Sequence, residues 1–233
     1  MTAEELMSRY EKVREEEKIN GELCLITNPK AKTGDNSKAG GILLVGMNPS
    51  GLGQGDAIKD YKDCNDGFWI SKHSMMGIYD EKCGYIDLLP FRNGTQTIAR
   101  DNDEIRYRGK LLCNTRYYIE ELCPRLIIFA NTANYYWGFN KTKPWMGYTF
   151  EEIESPLDGE RKKWKLYQIK GIKRTDVNRN ASETNLKGSY FLQYRQHKDQ
   201  YGKPVPKEQE LRFEDIQAIA KFIDEEKNSI LTE

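Results

Sequence analysis

Two short apolar runs without polar alternation punctuate the chain, Ile42-Leu43-Leu44-Val45 between glycines and Leu126-Ile127-Ile128-Phe129-Ala130, and Gly84-Tyr85-Ile86-Asp87-Leu88-Leu89 reads as a further short strand stopped by Pro90. A strand with no wet face is buried on both sides, which marks the centre of a parallel sheet. Ligands in such sheets bind beyond the carboxyl ends of the strands. The first run empties into Gly46-Met47-Asn48-Pro49-Ser50-Gly51, a tight loop, so Asn48 is placed where chemistry would sit.

Helical spacing fills the intervals. Ala3, Leu6, Met7, Tyr10 and Val13 predict an amphipathic helix over residues 3–18, ended by Gly21. Residues 22–27 read as a short strand and 28–40 as an exposed loop. The stretch 51–56 is glycine-rich but has neither Gly-Lys-Ser/Thr nor G-x-G-x-x-G opening a helix. Residues 56–83 are mixed, with Tyr61, Phe68, Trp69 and Tyr79 as aromatic faces.

A long helix is predicted over 103–122, closed by Cys123-Pro124, and residues 131–137 can cap and begin a short one. Residues 164–170 alternate apolar and polar and pair naturally with 149–153; 189–195 is a further strand. From Leu211 a clear amphipathic helix follows, with Phe213, Ile216, Ile219, Ala220, Phe222 and Ile223. Strand and helix in alternation predict an α/β sandwich with right-handed crossovers.

Composition narrows the class. The 233 residues suit a single domain over 1–233, with 1–20 as an added N-terminal helix. Lys and Arg balance Asp and Glu at a formal net charge of +0, so nothing global advertises a nucleic acid or a membrane. No apolar run approaches the roughly 18 residues of a span, and the N-terminus has no signal-peptide pattern. A cytoplasmic location is expected. The cysteines at 24, 64, 83, 113 and 123 form an odd set with no C-x-x-C pair; Cys64, His73 and Cys83 lack the close spacing of a zinc site, so reduced thiols and no metal are expected.

The order of motifs carries a resemblance. Gly46-Met47-Asn48-Pro49-Ser50-Gly51 after an apolar strand, then Tyr85-Ile86-Asp87-Leu88-Leu89-Pro90-Phe91-Arg92, then a helix leading into Leu126-Ile127-Ile128-Phe129-Ala130-Asn131-Thr132-Ala133, resembles the uracil-DNA glycosylase superfamily. The first motif looks most like its single-strand-selective and mismatch-specific branches. The likeness covers about residues 40–140.

It implies a three-layer α/β/α sandwich around a central four-stranded parallel sheet, with hairpin or loop insertions in the second half. A pocket at the strand ends would receive a modified or deaminated base flipped out of DNA. No cofactor is implied, and a monomer is expected. Asn48 matches the family residue that positions the water attacking the anomeric carbon, an amide oxygen being sufficient to orient it. Met47, Asp87 and an aromatic, Tyr61 or Phe68, would define the base.

The chain departs from the family pattern twice. Asp87 stands where many members carry an Asn that both donates to and accepts from the base; an ionised carboxylate only accepts, so a protonated Asp87, or a base with an amino group, fits better. His-Pro-Ser is absent, and His197, followed by Lys198-Asp199, takes its topological place as partner of the leaving base. Each residue has a plainer role open to it: Asn48 as a turn residue before proline, Asp87 as a cap or ion-pair partner, His197 on the surface, Tyr61 and Phe68 in the core.

Between 161 and 203, twelve Lys and Arg stand against three acids, 12 − 3 = +9, interleaved with Trp164, Tyr167, Tyr190 and Tyr194. Such a stretch suits phosphates and exposed bases, or is a solvated face over aromatic packing. Ser50, Arg92, Lys163, Lys173, Arg174 and Arg195 are the expected nucleic-acid contacts. Two rivals to hydrolysis on DNA remain: a binding protein of the same fold without activity, and a small-molecule N-glycosidase.

Overall fold

The apolar run at 42–45 forms strand β2 (Ile42–Gly46), and its alternate side chains enter two different cores. Leu43 and Val45 face one helical layer, Ile42 and Leu44 the other. This is why the run shows no polar alternation: neither face meets water. The coordinates are a computed structural model that describes residues 1–27, 41–49, 57–64, 67–77, 83–92, 105–129, 134–139, 145–157, 159, 164–175, 177–194 and 210–230.

The remaining strands are β1 (Leu25–Thr27), β3 (Ile58–Asp60), β4 (Gly84–Asp87), β5 (Leu126–Phe129), β6 (Tyr148–Ile153), β7 (Lys165–Ile172) and β8 (Tyr190–Gln193). Together they make one eight-stranded mixed sheet in the order β3-β1-β4-β2-β5-β8-β7-β6. The α/β class expected from sequence holds, in a sheet that is mixed and wider than four strands. Within the larger sheet β4, β2, β5 and β8 do pair parallel with their neighbours, but β1 joins β4 antiparallel and β7 joins β8 antiparallel. The antiparallel pair β6–β7, which joins the two segments expected to pair, extends the sheet beyond β8.

Helices α1 (Ala3–Glu16) and α3 (Ile105–Leu122) cover one face; α2 (Gly67–Met76) and α4 (Phe213–Ile230) cover the other. A capping box starts α1: the Thr2 amide donates to the Glu5 carboxylate at 2.6 Å, and the Glu5 amide donates to Thr2 Oγ1 at 3.2 Å. The helix stops at Glu16, with Lys18 in the left-handed region at φ 52°, several residues before the glycine expected to end it. Its buried stripe of Leu6, Met7, Tyr10 and Val13 packs into the α3 side, where Tyr10 Oη and Thr115 Oγ1 lie 2.6 Å apart.

Two elements, β3 and α2, arise in the stretch that had no sequence pattern. The reason is visible in α2: Trp69, Met75 and Met76 are buried, yet Ile70 is exposed, so no single apolar stripe announces a helix. Residues 134–136 form only a 3-10 turn where a short helix is expected. No described helix is long and apolar enough to cross a membrane.

Aromatic packing fixes the hairpin onto the parallel strands. The fully buried Phe191 ring lies 5.0 Å from Trp137, 5.2 Å from Phe150 and 6.1 Å from Phe129. Phe191→Ala is expected to lower unfolding free energy by about 3–5 kcal/mol in urea denaturation. Lys165→Ala, which removes an exposed bridge to Glu152, should leave the urea midpoint essentially unchanged.

Candidate functional site

Parallel pairing of β2 with β4 sets Gly46 opposite Asp87. Beyond the ladder, Leu88 N donates to Gly46 O at 3.1 Å and Leu89 N to Met47 O at 2.9 Å. The turn that carries Asn48 is thus laced to the exit of β4, at the carboxyl ends of adjacent parallel strands. Asn48 is half-buried, and its Nδ2 donates to Pro49 O at 3.2 Å and, more weakly, to Phe91 O at 3.4 Å. The donor end of the amide is anchored to main chain, and its carbonyl oxygen can only accept. Met47 is buried among the α1 and α3 side chains.

Asp87 is 3% exposed. Its Oδ1 accepts a 2.8 Å hydrogen bond from Tyr85 Oη, whereas Oδ2 is buried without a hydrogen-bond partner. An unsatisfied buried polar atom costs about 1–3 kcal/mol, so its retention calls for an explanation. Burial pushes the Asp87 carboxyl up to about 7, with the Tyr85 hydrogen bond opposing the rise. Gly46 makes room for this pair: a Cβ there would lie 2.2 Å from both Asp87 Oδ1 and Tyr85 Oη.

Tyr85 is held by aromatic neighbours. Its ring stacks on Tyr61 at 5.5 Å and 8°, and meets Trp69 edge-on at 4.9 Å. Tyr61 itself is fully buried, with His73 at 4.7 Å, and so acts as a support under Tyr85. On α2, Lys72 is 3% exposed and donates to Tyr194 Oη at 2.6 Å, just past the end of β8. Burial pushes the Lys72 ammonium down to about 7, against the pull of Glu210. Tyr194 also acts electrostatically on Tyr85, which links the two pairs into one buried polar cluster.

Of the residues expected from sequence, the structure brings the Asn48 turn and Asp87 to one end of the sheet, with Tyr61 packed under Tyr85; Met47, expected at the base, instead turns its side chain into the opposite core. Arg92 is close by but engaged: its Nη2 donates to Cys24 Sγ at 3.1 Å and its Nε lies 3.5 Å from Glu22. Lys173 and Arg174 are exposed in a segment tied to the turn before β6, through Lys173 N to Gly147 O at 2.8 Å and Thr175 Oγ1 to Trp145 O. Trp164, Tyr190 and Tyr194 point into the core, and Lys165 and Lys170 bridge Glu152 and Glu151.

Ser50, Lys163, Arg195 and His197 lie outside the described residues, and of Phe68 only its place in α2 is described. None of the five cysteines is in a disulfide. Among the described residues no group of three or more His, Cys, Asp or Glu is placed to hold a metal ion.

Sequence reasoning missed Tyr85 and Lys72 as site residues, and read Tyr194 as part of a nucleic-acid surface where the structure buries it against Lys72. Tyr85 had a signal, since residues two apart share a strand face and Asp87 had been singled out. Lys72 had a weaker one, a cation among the apolar residues of 68–76.

The two buried ionisable groups set opposite pH dependences. Asp87 holds its proton more tightly folded than unfolded, so its contribution is full below about pH 4 and lost as pH rises through about 7. Lys72 gives its proton up more readily when folded, so its contribution is present above about pH 10.5 and lost as pH falls through about 7. In urea denaturation across pH, Asp87→Asn is expected to flatten the falling limb and Lys72→Met the rising one, each limb being on the order of 4 kcal/mol. Gly46→Ala should destabilise by about 1–3 kcal/mol through overpacking against Tyr85 and Asp87. Set against protein-family models, curated proteins and solved structures, the chain matches none of them.

Proposed function

We propose that this chain has a uracil-DNA glycosylase-like fold and hydrolyses the N-glycosidic bond of a modified or deaminated base flipped out of DNA. The observation that carries the reading is the lacing of the Asn48 turn to the Asp87 end of β4, at the carboxyl ends of neighbouring parallel strands. Four parallel strands between helical layers support the fold assignment. Asn48 Oδ1 orients water toward the anomeric carbon as the sugar gains oxocarbenium character. Asp87 reads the base edge, and Tyr85, backed by Tyr61 and Trp69, fixes the carboxyl in place.

A second reading, hydrolysis of a free nucleoside or nucleotide, is favoured by one observation. Arg92, Lys165 and Lys170 are engaged by Glu22, Glu152 and Glu151, so these described cations are partnered within the chain. Phosphate contacts dominate affinity for DNA, whereas a small substrate needs few of them.

The test is base release from single- and double-stranded oligonucleotides carrying uracil, hypoxanthine, xanthine or an alkylated base, with free nucleosides alongside. Release by the parent that falls roughly 100-fold or more in Asn48→Ala is the expected outcome. Turnover confined to nucleosides selects the second reading. Salt-sensitive DNA binding without any release overturns hydrolysis and leaves a binding protein.

A further inference from the structure

We propose that Asp87 is the general acid of this hydrolysis, giving the proton on Oδ2 to an acceptor atom of the departing base. The inference rests on the glycosidase reading above and goes beyond it. There, Asp87 defines the base; here it also transfers a proton.

Three features of the geometry point to it. Tyr85 Oη donates into Oδ1 at 2.8 Å, so in the neutral acid the proton resides on the other oxygen. That oxygen, Oδ2, is buried and lacks any hydrogen-bond partner, leaving a donor one acceptor short. Finally, Asp87 pairs across the ladder with Gly46, two residues before Asn48, so acid and water-orienting amide share the end of one strand pair.

The titratable groups coupled to Asp87 among the described residues are Tyr85 on β4, whose hydrogen bond acts on it, and Tyr10 on α1 and Cys24 just before β1, on which it acts. All are raised by burial and neutral near pH 7. Arg92, which acts on Cys24, is engaged by the Cys24 sulfur and by Glu22. The surroundings therefore keep the acid protonated up to about pH 7, the range in which general acids work best.

The step balances. The bond from C1′ to the base nitrogen breaks with its electron pair going to the base, while Oδ2 gives its proton to a carbonyl oxygen or ring nitrogen of that base. Water held by Asn48 adds through oxygen to C1′ and releases one proton, which restores neutral Asp87. The products are the free base and the sugar hydroxyl. A donor at Oδ2 also favours a base with a carbonyl at that point over one with an amino group, which is the change deamination makes.

The test compares single-turnover release of uracil and 5-fluorouracil from the same duplex by the parent, Asp87→Asn and Asn48→Ala, over pH 5–9. Fluorine stabilises charge on the departing ring, so 5-fluorouracil needs the acid less. Expected are a fall in the parent rate above about pH 7, and a loss of roughly 100-fold or more for uracil in Asp87→Asn, much smaller for 5-fluorouracil and without that fall. Equal losses for both bases, or an unchanged rate, overturn the acid while Asn48→Ala still reports on the glycosidase reading. No release by the parent from any substrate overturns both. Independently of turnover, the Asp87 carboxyl carbon in NMR should titrate near pH 7 in the parent; a midpoint in the ordinary carboxylate range overturns the proposal.

Discussion

Burial of the central strands on both faces is the constraint from which the rest follows. With helices α1 and α3 above and α2 and α4 below, the side chains of β2 and β5 have no face on which a polar group could meet water. Main-chain groups are satisfied along the ladder, and polar side chains are confined to where the ladder ends. Gly46, Asn48, Asp87 and Tyr194 all stand at or just past such ends. The concentration of chemistry there is a consequence of how the sheet is covered.

Within that end region, polar groups are not distributed evenly. Asp87 with Tyr85, and Lys72 with Tyr194, are two short hydrogen-bonded pairs in a largely apolar layer. Burial acts on them in opposite directions, favouring the neutral acid and the neutral amine. Each shift favours the form that has less to gain from water, which fits the enclosure of Tyr85 by Tyr61 and Trp69. Gly46 is the geometric condition for half of it, since any side chain there would occupy the space of the Tyr85–Asp87 contact.

The opposite end of α3 shows what a purely structural buried carboxylate looks like. Glu120 receives hydrogen bonds from Tyr148 Oη at 2.8 Å, Thr184 Oγ1 at 2.6 Å and the Asn185 amide at 2.7 Å, with Arg116 at 3.7 Å. Both its oxygens are used, and its work is to fasten the loop before β8 to the helix. Asp87, with one oxygen used and one not, differs from it in the feature on which the proposed role rests.

The period of the apolar positions was enough to predict α1, α3 and α4, the unbroken apolar runs were enough for β2 and β5, and the proline stop after a mostly apolar stretch for β4, because burial on one stripe or on both faces leaves a local trace. Asn48 and Asp87 were legible for the same reason: each directly follows or ends such a run. The β3 strand and α2 left no trace, since β3 has only three residues and α2 spreads its apolar residues around its axis. The width of the sheet was likewise undetermined, because pairing of β1 with β4 and of β7 with β8 depends on partners 59 and 25 residues away, counted between the first residues of each strand. Charge in the 161–203 stretch read as a surplus by composition, yet the glutamates that answer Lys165 and Lys170 come from another strand. What the sequence determined by itself was where strands end and which polar residues stand there. Only the tertiary structure decided which of those residues meet, and that Lys72 and Tyr194 join Tyr85 and Asp87, because such contacts are made across space by elements whose separation along the chain carries no signal.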